Sequence, residues 1–469
     1  MRQRSLILLA VFITLAGVVN LSGQENHPQI VIDETSRKES IVQVIEIDRV
    51  WSGHPVGFSL LTDGNRQYIA YYNAGRNMVV GQRDIGDENF SLHIMTPTTR
   101  QSAGGTSTVL GWDSHNYVTL GIDKEGYLHL SGNMHVNPLT YFRSNKPGDI
   151  STLVQVMEMT GKDEKRCTYP HFINNREGEL LFHYRDGSSG SGNEIYNIYS
   201  CETKKWSRLL DTPLTDGQGL MNAYQSQPVL LADDWYHVYW VWRDTPDCST
   251  NHDLSYMKSP DLKNWFNAFG EPVTLPATLG KRSVIVDPVP VKGGMINLAA
   301  KLCLDENNKP FFIYHKYDPD GNLQLFAART GNNKWIIQQV THWDYRWEFS
   351  GNGSIIREVV VKDFRKRKDG YFEAGYWHTK YGTGTILIDE KMENYGKVLK
   401  APPFSETLKT EGNFPGLAIQ ISSDNGKTDE HGMKYLLKWE TLPANRDKAR
   451  PEPWPEASRL LLYKLRISE

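Results

Sequence analysis

Cysteine is scarce: four residues in a chain of 469, Cys167, Cys201, Cys248 and Cys303, with no C-x-x-C pair among them. That excludes a disulfide-dense scaffold and a paired-thiol metal motif. It leaves one or two disulfides, or buried free thiols. Charge of one sign is also lacking. The net charge of −3 gives no basic footprint for nucleic acid. After the first residues no apolar run is long enough to span a membrane. No stretch has a convincing helical period. No acidic pair stands out of the kind that flanks a glycosidic bond in conventional hydrolysis. Asp113, Asp186 and Asp244 all sit beside turns, where Asp is a common turn former.

What is abundant is aromatic and turn-forming. There are 13 Trp, 23 Tyr and 39 Gly. This composition suits strands, tight turns and a surface that stacks on sugar rings.

The N-terminus has the pattern of a targeting segment. Arg2 and Arg4 precede an apolar run from Leu6 to Val19, and the small residues Ser22 and Gly23 mark a cleavage point near Gln24. No cysteine follows to take a lipid. The expected organisation is a signal peptide over 1–23, an extension over 24–40 and a single catalytic array over 41–469. The protein is expected to be exported, periplasmic or secreted, with no membrane span in its mature chain.

Along the array one pattern recurs. A turn rich in Asp, Gly or Asn leads into an aromatic-rich strand and then a second strand. Asp63, Asp123, Asn174, Asp233, Asp305, Asp369 and Asp424 mark seven such units. Sheet-sized repeats without helices read as an all-β, seven-bladed β-propeller. Ile41–Ile47 has no unit of its own. It is expected to lie beside Leu460–Leu465 and close the ring with N- and C-terminal strands.

The array is organised around Gly111 to His135. Tyr117–Ile122 and Tyr127–Ser131, separated by Asp123-Lys124-Glu125-Gly126, read as a hairpin. His115 precedes its first strand and His135 follows its second, so both fall at one edge. Asp113, Asn116 and Asn133 arrive with them. By the same argument Tyr169 and Arg185 share an edge. Further candidate sugar-binding groups, Tyr224, Arg243, Asn251 and His252, lie at strand ends of the next unit. Singly, a strand-end histidine is more often a hydrogen-bonded structural group. Cys248, His252 and Cys303 are zinc candidates, though their spacing is irregular. No cofactor is required, and a structural zinc or calcium is the one metal role left open. His54, between Gly53 and Pro55, reads by itself as a group capping a blade-entry turn.

Two histidines, a tyrosine and an arginine suit elimination from an acidic sugar. Arg and His donors neutralise a uronate carboxylate, which acidifies the adjacent C–H. Tyr or His then removes that proton or protonates the leaving oxygen.

The segments W-S-G-H-P-V-G-F, W-D-S-H-N-Y, H-L-S-G-N-M-H, T-Y-P-H-F, Y-R-D-G-S-S-G and W-R-D-T-P-D-C-S-T-N-H-D resemble bacterial BNR-repeat seven-bladed propellers. That superfamily includes propeller α-L-rhamnosidases, which remove terminal rhamnose from glucuronic acid on arabinogalactan side chains. It also includes propeller ulvan lyases, which cut rhamnose–glucuronate bonds by β-elimination. The rhamnosidase resemblance implies a single catalytic histidine on the opposite face, here His54. The lyase resemblance implies His115, His135, Tyr169 and Arg185. The presence of His54 tips the expectation to the exo-rhamnosidase, with the lyase as alternative and a non-catalytic glycan-binding propeller as a third reading. All three take a glycan containing rhamnose and uronic acid as partner.

Overall fold

The computed structural model describes residues 29–32, 38–96, 106–400 and 402–468. The expected leader over 1–23 lies outside these residues. Among them the fold is all-β, and the one α-helix is the four-residue Phe404–Thr407. No helix of the described residues is long and apolar enough to cross a membrane.

The strands of the described residues form six hydrogen-bonded sheets. Five have four or five strands, and one has ten. The ten-stranded sheet is two antiparallel groups joined by one parallel contact, Gly192 with Asn222. Each of the resulting groups is an up-and-down meander. The aspartate and asparagine markers all fall at or beside the turn between the first and second strands of a meander. The reason is local. In the hairpin of Val118–Ile122 and Leu128–Gly132, an Asp123 carboxylate oxygen accepts from the backbone N–H groups of Glu125 and Tyr127. Gly126 takes φ 81°, which costs a glycine little. Asp305 does the same for Asn307 and Lys309.

The expected pairing of the chain's two ends is present and runs longer than the sequence suggests. Lys38–Val50 pairs antiparallel with Ser458–Ser468, and Ser458–Ser468 continues into Met433–Thr441. The strand therefore begins inside the segment expected to be an extension. So does Gln29–Ile32, which pairs in parallel with Asn394–Leu399. The last meander also meets the first. Asp424 accepts hydrogen bonds from the backbone N–H (2.9 Å) and the hydroxyl of Thr62. One apolar core runs through this contact, from Leu437, Trp439 and Leu462 to Leu60, Ile69 and Val80, and on to Leu120 and Leu130. All four cysteines are free thiols.

Candidate active site

The hairpin brings His115 and His135 together. Val118 pairs with Gly132 at its open end, and the two histidines flank that end. Their ring centroids lie 4.3 Å apart. Asp113 sits between them: one carboxylate oxygen is 2.8 Å from Nδ1 of His115, the other 2.5 Å from Nδ1 of His135. Asp447, from the far end of the chain, approaches Nδ1 of His115 at 3.3 Å and accepts from the backbone N–H and hydroxyl of Ser114. Burial disfavours a charged His115, but the hydrogen bonds and charges of Asp113 and Asp447 outweigh it and raise the imidazole to about 9. Burial likewise opposes ionisation of Asp113 and Asp447, yet the histidines hold both carboxyls well below the usual range. With each Nδ1 committed to a carboxylate, Nε2 is the nitrogen left for a substrate.

Tyr169 reaches this pair from the next meander. Its strand, Cys167–Asn174, shifts register against Leu180–Ser188 between Thr168 and His171, and Tyr169 takes φ 56°. A bulge of this kind re-aims a side chain, and left-handed backbone at a bulky residue is strain kept where it serves a site. The Tyr169 ring lies 5.8 Å from His115 and 6.3 Å from His135. Behind it, Thr168 pairs with Arg185. Arg185 is 0% exposed, and none of its three side-chain nitrogens has a hydrogen-bond partner. Its guanidinium lies 4.9 Å from the Tyr169 ring centre and 5.5 Å from that of Tyr224. Burial pushes the Tyr169 phenol well above the ordinary tyrosine value. Burial acts the same way on Tyr224, but Arg185 and Arg243 overcome it and hold Tyr224 below. Arg243 is fixed by carbonyls of Thr245 and Pro246 and donates to the Tyr224 hydroxyl.

A cavity of about 560 Å³ is lined by His115, Tyr169, Tyr224 and Arg243 and by residues not singled out from the sequence, while His135 and Arg185 stand behind its wall. Tyr117 and His171 are joined at 2.8 Å, and His183 is held by Glu194 at 2.7 Å. Burial, then the charge of His183, lowers His171 to about 3, so it is neutral. A signal for the histidines was present. His183 stands two residues before Arg185 and faces His171 in the pairing, so period-two alternation places it on the Arg185 face.

Residues 66–343 match the family described as BNR repeat-containing. The chain belongs to this family. One curated relative is the short isoform of an ulvan lyase from Alteromonas sp. (strain LOR), 27% identical over 143 residues. That match covers 26% of this chain and about a quarter (25%) of the relative's length. Among solved structures, the polysaccharide lyase Uly1 is similar over 91% of this chain and 99% of its own, at 14% identity and a TM-score of 0.59. An ulvan lyase bound to -[GlcA(1-4)Rha3S]- is similar over 88% of this chain and 94% of its own, at 13% identity and a TM-score of 0.56. These structural likenesses show a shared fold.

In this BNR-family chain the remaining sequence candidates divide. Tyr224 and Arg243 line the cavity. Asn116 is buried, with its carbonyl accepting from the Tyr72 hydroxyl. Asn133, at φ 55°, donates to the carbonyls of Ser107 and Val109 and so anchors a loop. Asn251 is fully buried and donates to the Cys248 carbonyl. The Asn133 and Asn251 amides hold backbone, and the Asn116 amide is buried. His252 is bound on both nitrogens, by Asp253 at 2.6 Å and Asp244 at 2.9 Å. The expected zinc set does not assemble. Among the described residues, the one His/Cys/Asp/Glu group with ligand atoms all within 4.8 Å is Asp113, His115 and His135.

His54 departs furthest from expectation. It is 2% exposed, and its Nδ1 accepts from the Trp51 indole at 2.9 Å. Its Nε2 is buried without a partner. Burial, then the charge of Arg76, lowers it to about 4. The expected separate face is not where it lies: its ring is 5.5 Å from Trp112, and the charges of Asp113 and Asp447 act on it. Buried between Trp51 and Trp112, it accepts from an indole rather than capping a carbonyl as the local sequence suggested.

Proposed function

We propose that this protein is a polysaccharide lyase that cuts an acidic, rhamnose- and uronate-containing glycan by β-elimination, on a seven-bladed propeller whose blades are the seven meanders. Arg185 carries the reading. Burial opposes its charge, but Tyr224, Tyr169 and Glu194 outweigh that and hold the buried guanidinium charged. It lies against the rings of Tyr169 and Tyr224, and Tyr169 in turn reaches the histidine pair, so an incoming carboxylate would meet it there. The relatives named lyases support the same chemistry.

In this reading the uronate carboxylate is neutralised by Arg185 and by the His115 imidazolium, which acidifies C5–H. His135 donates Nδ1–H to Asp113 and receives the C5 proton on Nε2. The C–H electron pair becomes the C4–C5 double bond, and the C4–O bond breaks. The Tyr169 phenol, kept protonated by burial, gives its proton to the leaving oxygen. Solvent then returns the His135 proton to Tyr169. The hydrolytic reading needs His54 at the substrate, and its burial argues against that. Export, expected from the leader, fits a polymer too large to enter a cell. Tyr169→Phe keeps the ring and removes the proton, so formation of unsaturated product should fall about 10²–10⁴-fold. Unchanged product formation would overturn the assignment.

A further inference from the structure

One part of the cavity wall has no place in the elimination chemistry. Asn297, Ser354 and Arg357 line the same cavity as His115 and Tyr169. Arg357 uses one of its nitrogens, donating at 2.9 Å to the carbonyl of Asn297. Burial holds its guanidinium below the ordinary arginine value, and the one group whose charge counters this is Cys248, not a carboxylate. Lys301 beside it is also depressed, first by burial and then by Arg357 itself, with Asp363 countering in part. Arg357 itself has no carboxylate partner among the described residues. Glu194 is the one carboxylate among the cavity-lining residues, and it is engaged by His183. Arg243 differs, because all three of its side-chain nitrogens are already used.

Ser354 supplies a second observation. Its hydroxyl oxygen is buried and has no hydrogen-bond partner. Its backbone N–H donates to Asp447 at 2.9 Å, the carboxylate that also approaches His115. This wall is thus tied to the catalytic histidine through one side chain. A group held by Arg357 and Ser354 would sit at a fixed offset from the bond being cut.

We infer that Arg357 and Ser354 form a second anion subsite, which takes a sulfate ester or a second uronate carboxylate on a sugar neighbouring the one that reacts. A guanidinium fork and a hydroxyl match two or three anionic oxygens. The inference rests on the lyase reading for the identity of the polymer, and the subsite sets which polymers are accepted.

The test titrates the full chain calorimetrically with ulvan oligosaccharides in three forms: native, desulfated and carboxyl-reduced. Wild type is compared with Arg357→Gln and Ser354→Ala, and the same samples are assayed for unsaturated product. The native form should bind Arg357→Gln about 10- to 100-fold more weakly and Ser354→Ala several-fold more weakly, as loss of a charge-assisted contact predicts. KM should rise with a smaller change in kcat. For one modified form the difference between wild type and variants should vanish. Desulfated ligand identifies a sulfate ester, and carboxyl-reduced ligand a uronate. Equal weakening on all three forms, or none, overturns the subsite. If wild type binds but makes no unsaturated product, the lyase reading fails while the binding comparison still decides the subsite. Should Arg357→Gln not fold, the Ser354→Ala comparison decides it alone.

Discussion

The rings of His115 and His135 lie with centroids 4.3 Å apart, each bound through Nδ1 to the same carboxylate, that of Asp113. Two imidazoles at this distance repel when both are charged, so the shared acid decides how protons distribute between them.

The first prediction concerns pH. His115 is raised to about 9 in the folded chain, above the value of about 6.5 for a free imidazole. The stability it contributes is therefore complete below about 6.5 and lost as pH rises through about 9. Asp113 and Asp447 are depressed. Their contribution is present above about 4, the value for a free carboxyl, and is lost as pH falls toward their folded values. Since the imidazolium helps neutralise the substrate carboxylate, kcat/KM should decline as pH passes about 9. Asp113→Asn removes the main charge partner, and the alkaline limb should move to lower pH. A pH–rate profile of both proteins checks this, and an unmoved limb would count against His115.

The second sets activity against stability. Arg185 is fully buried against the Tyr169 and Tyr224 rings, with burial opposing its charge and its neighbours supporting it. Arg185→Met keeps most of the volume and removes both effects. Denaturant unfolding should change by no more than about 2 kcal/mol. Product formation should drop about 100-fold or more. A variant that is both inactive and strongly destabilised would make Arg185 a structural group.

The third concerns His54. Its Nδ1 accepts from the Trp51 indole, so His54→Ala leaves a buried donor unpaired and a cavity. Unfolding free energy should fall by about 1–3 kcal/mol. The folded fraction should keep most of its turnover. Loss of turnover without loss of stability would return His54 to the chemistry.

The fourth tests the contact between the first and last meanders. Asp424 accepts two hydrogen bonds from Thr62 and one from the Gly426 N–H. Asp424→Ala should lower unfolding free energy by about 1–3 kcal/mol. Little change would mean that strand pairing and the apolar core hold the ends of the array without Asp424.

Where the sequence could be read and where it could not follows from range. Asp123, Asp233, Asp305, Asp369 and Asp424 organise turns through neighbours within four residues, and Asn175, next to the marker Asn174, does so in the third unit, so these first turns were visible. The hairpin carried His115 and His135 to one edge because period and turn together set its register. Tyr169 and Arg185 followed by the same logic. Asp447 was invisible, being 332 residues from His115 (447 − 115) and joined to it only by the tertiary fold. The bulge at Tyr169 hid His171, since a register shift breaks the alternation linking the two, whereas His183, two residues before Arg185, could be read from the alternation of its own strand. His54 was assigned to another face because a resemblance located it. The Gly-His-Pro turn by itself indicated a structural group capping a carbonyl, and the structure instead has the ring accepting from the Trp51 indole.

The central claim is elimination at a uronate, and one digest tests it most directly. Purified protein is incubated with ulvan, and in parallel with arabinogalactan. Absorbance at ~235 nm follows the unsaturated uronate while chromatography follows free rhamnose, since only elimination forms a double bond. Rising absorbance without stoichiometric free rhamnose is the predicted result. Free rhamnose with flat absorbance would contradict it and establish a hydrolase. Binding without either product would contradict it in favour of a glycan-binding propeller.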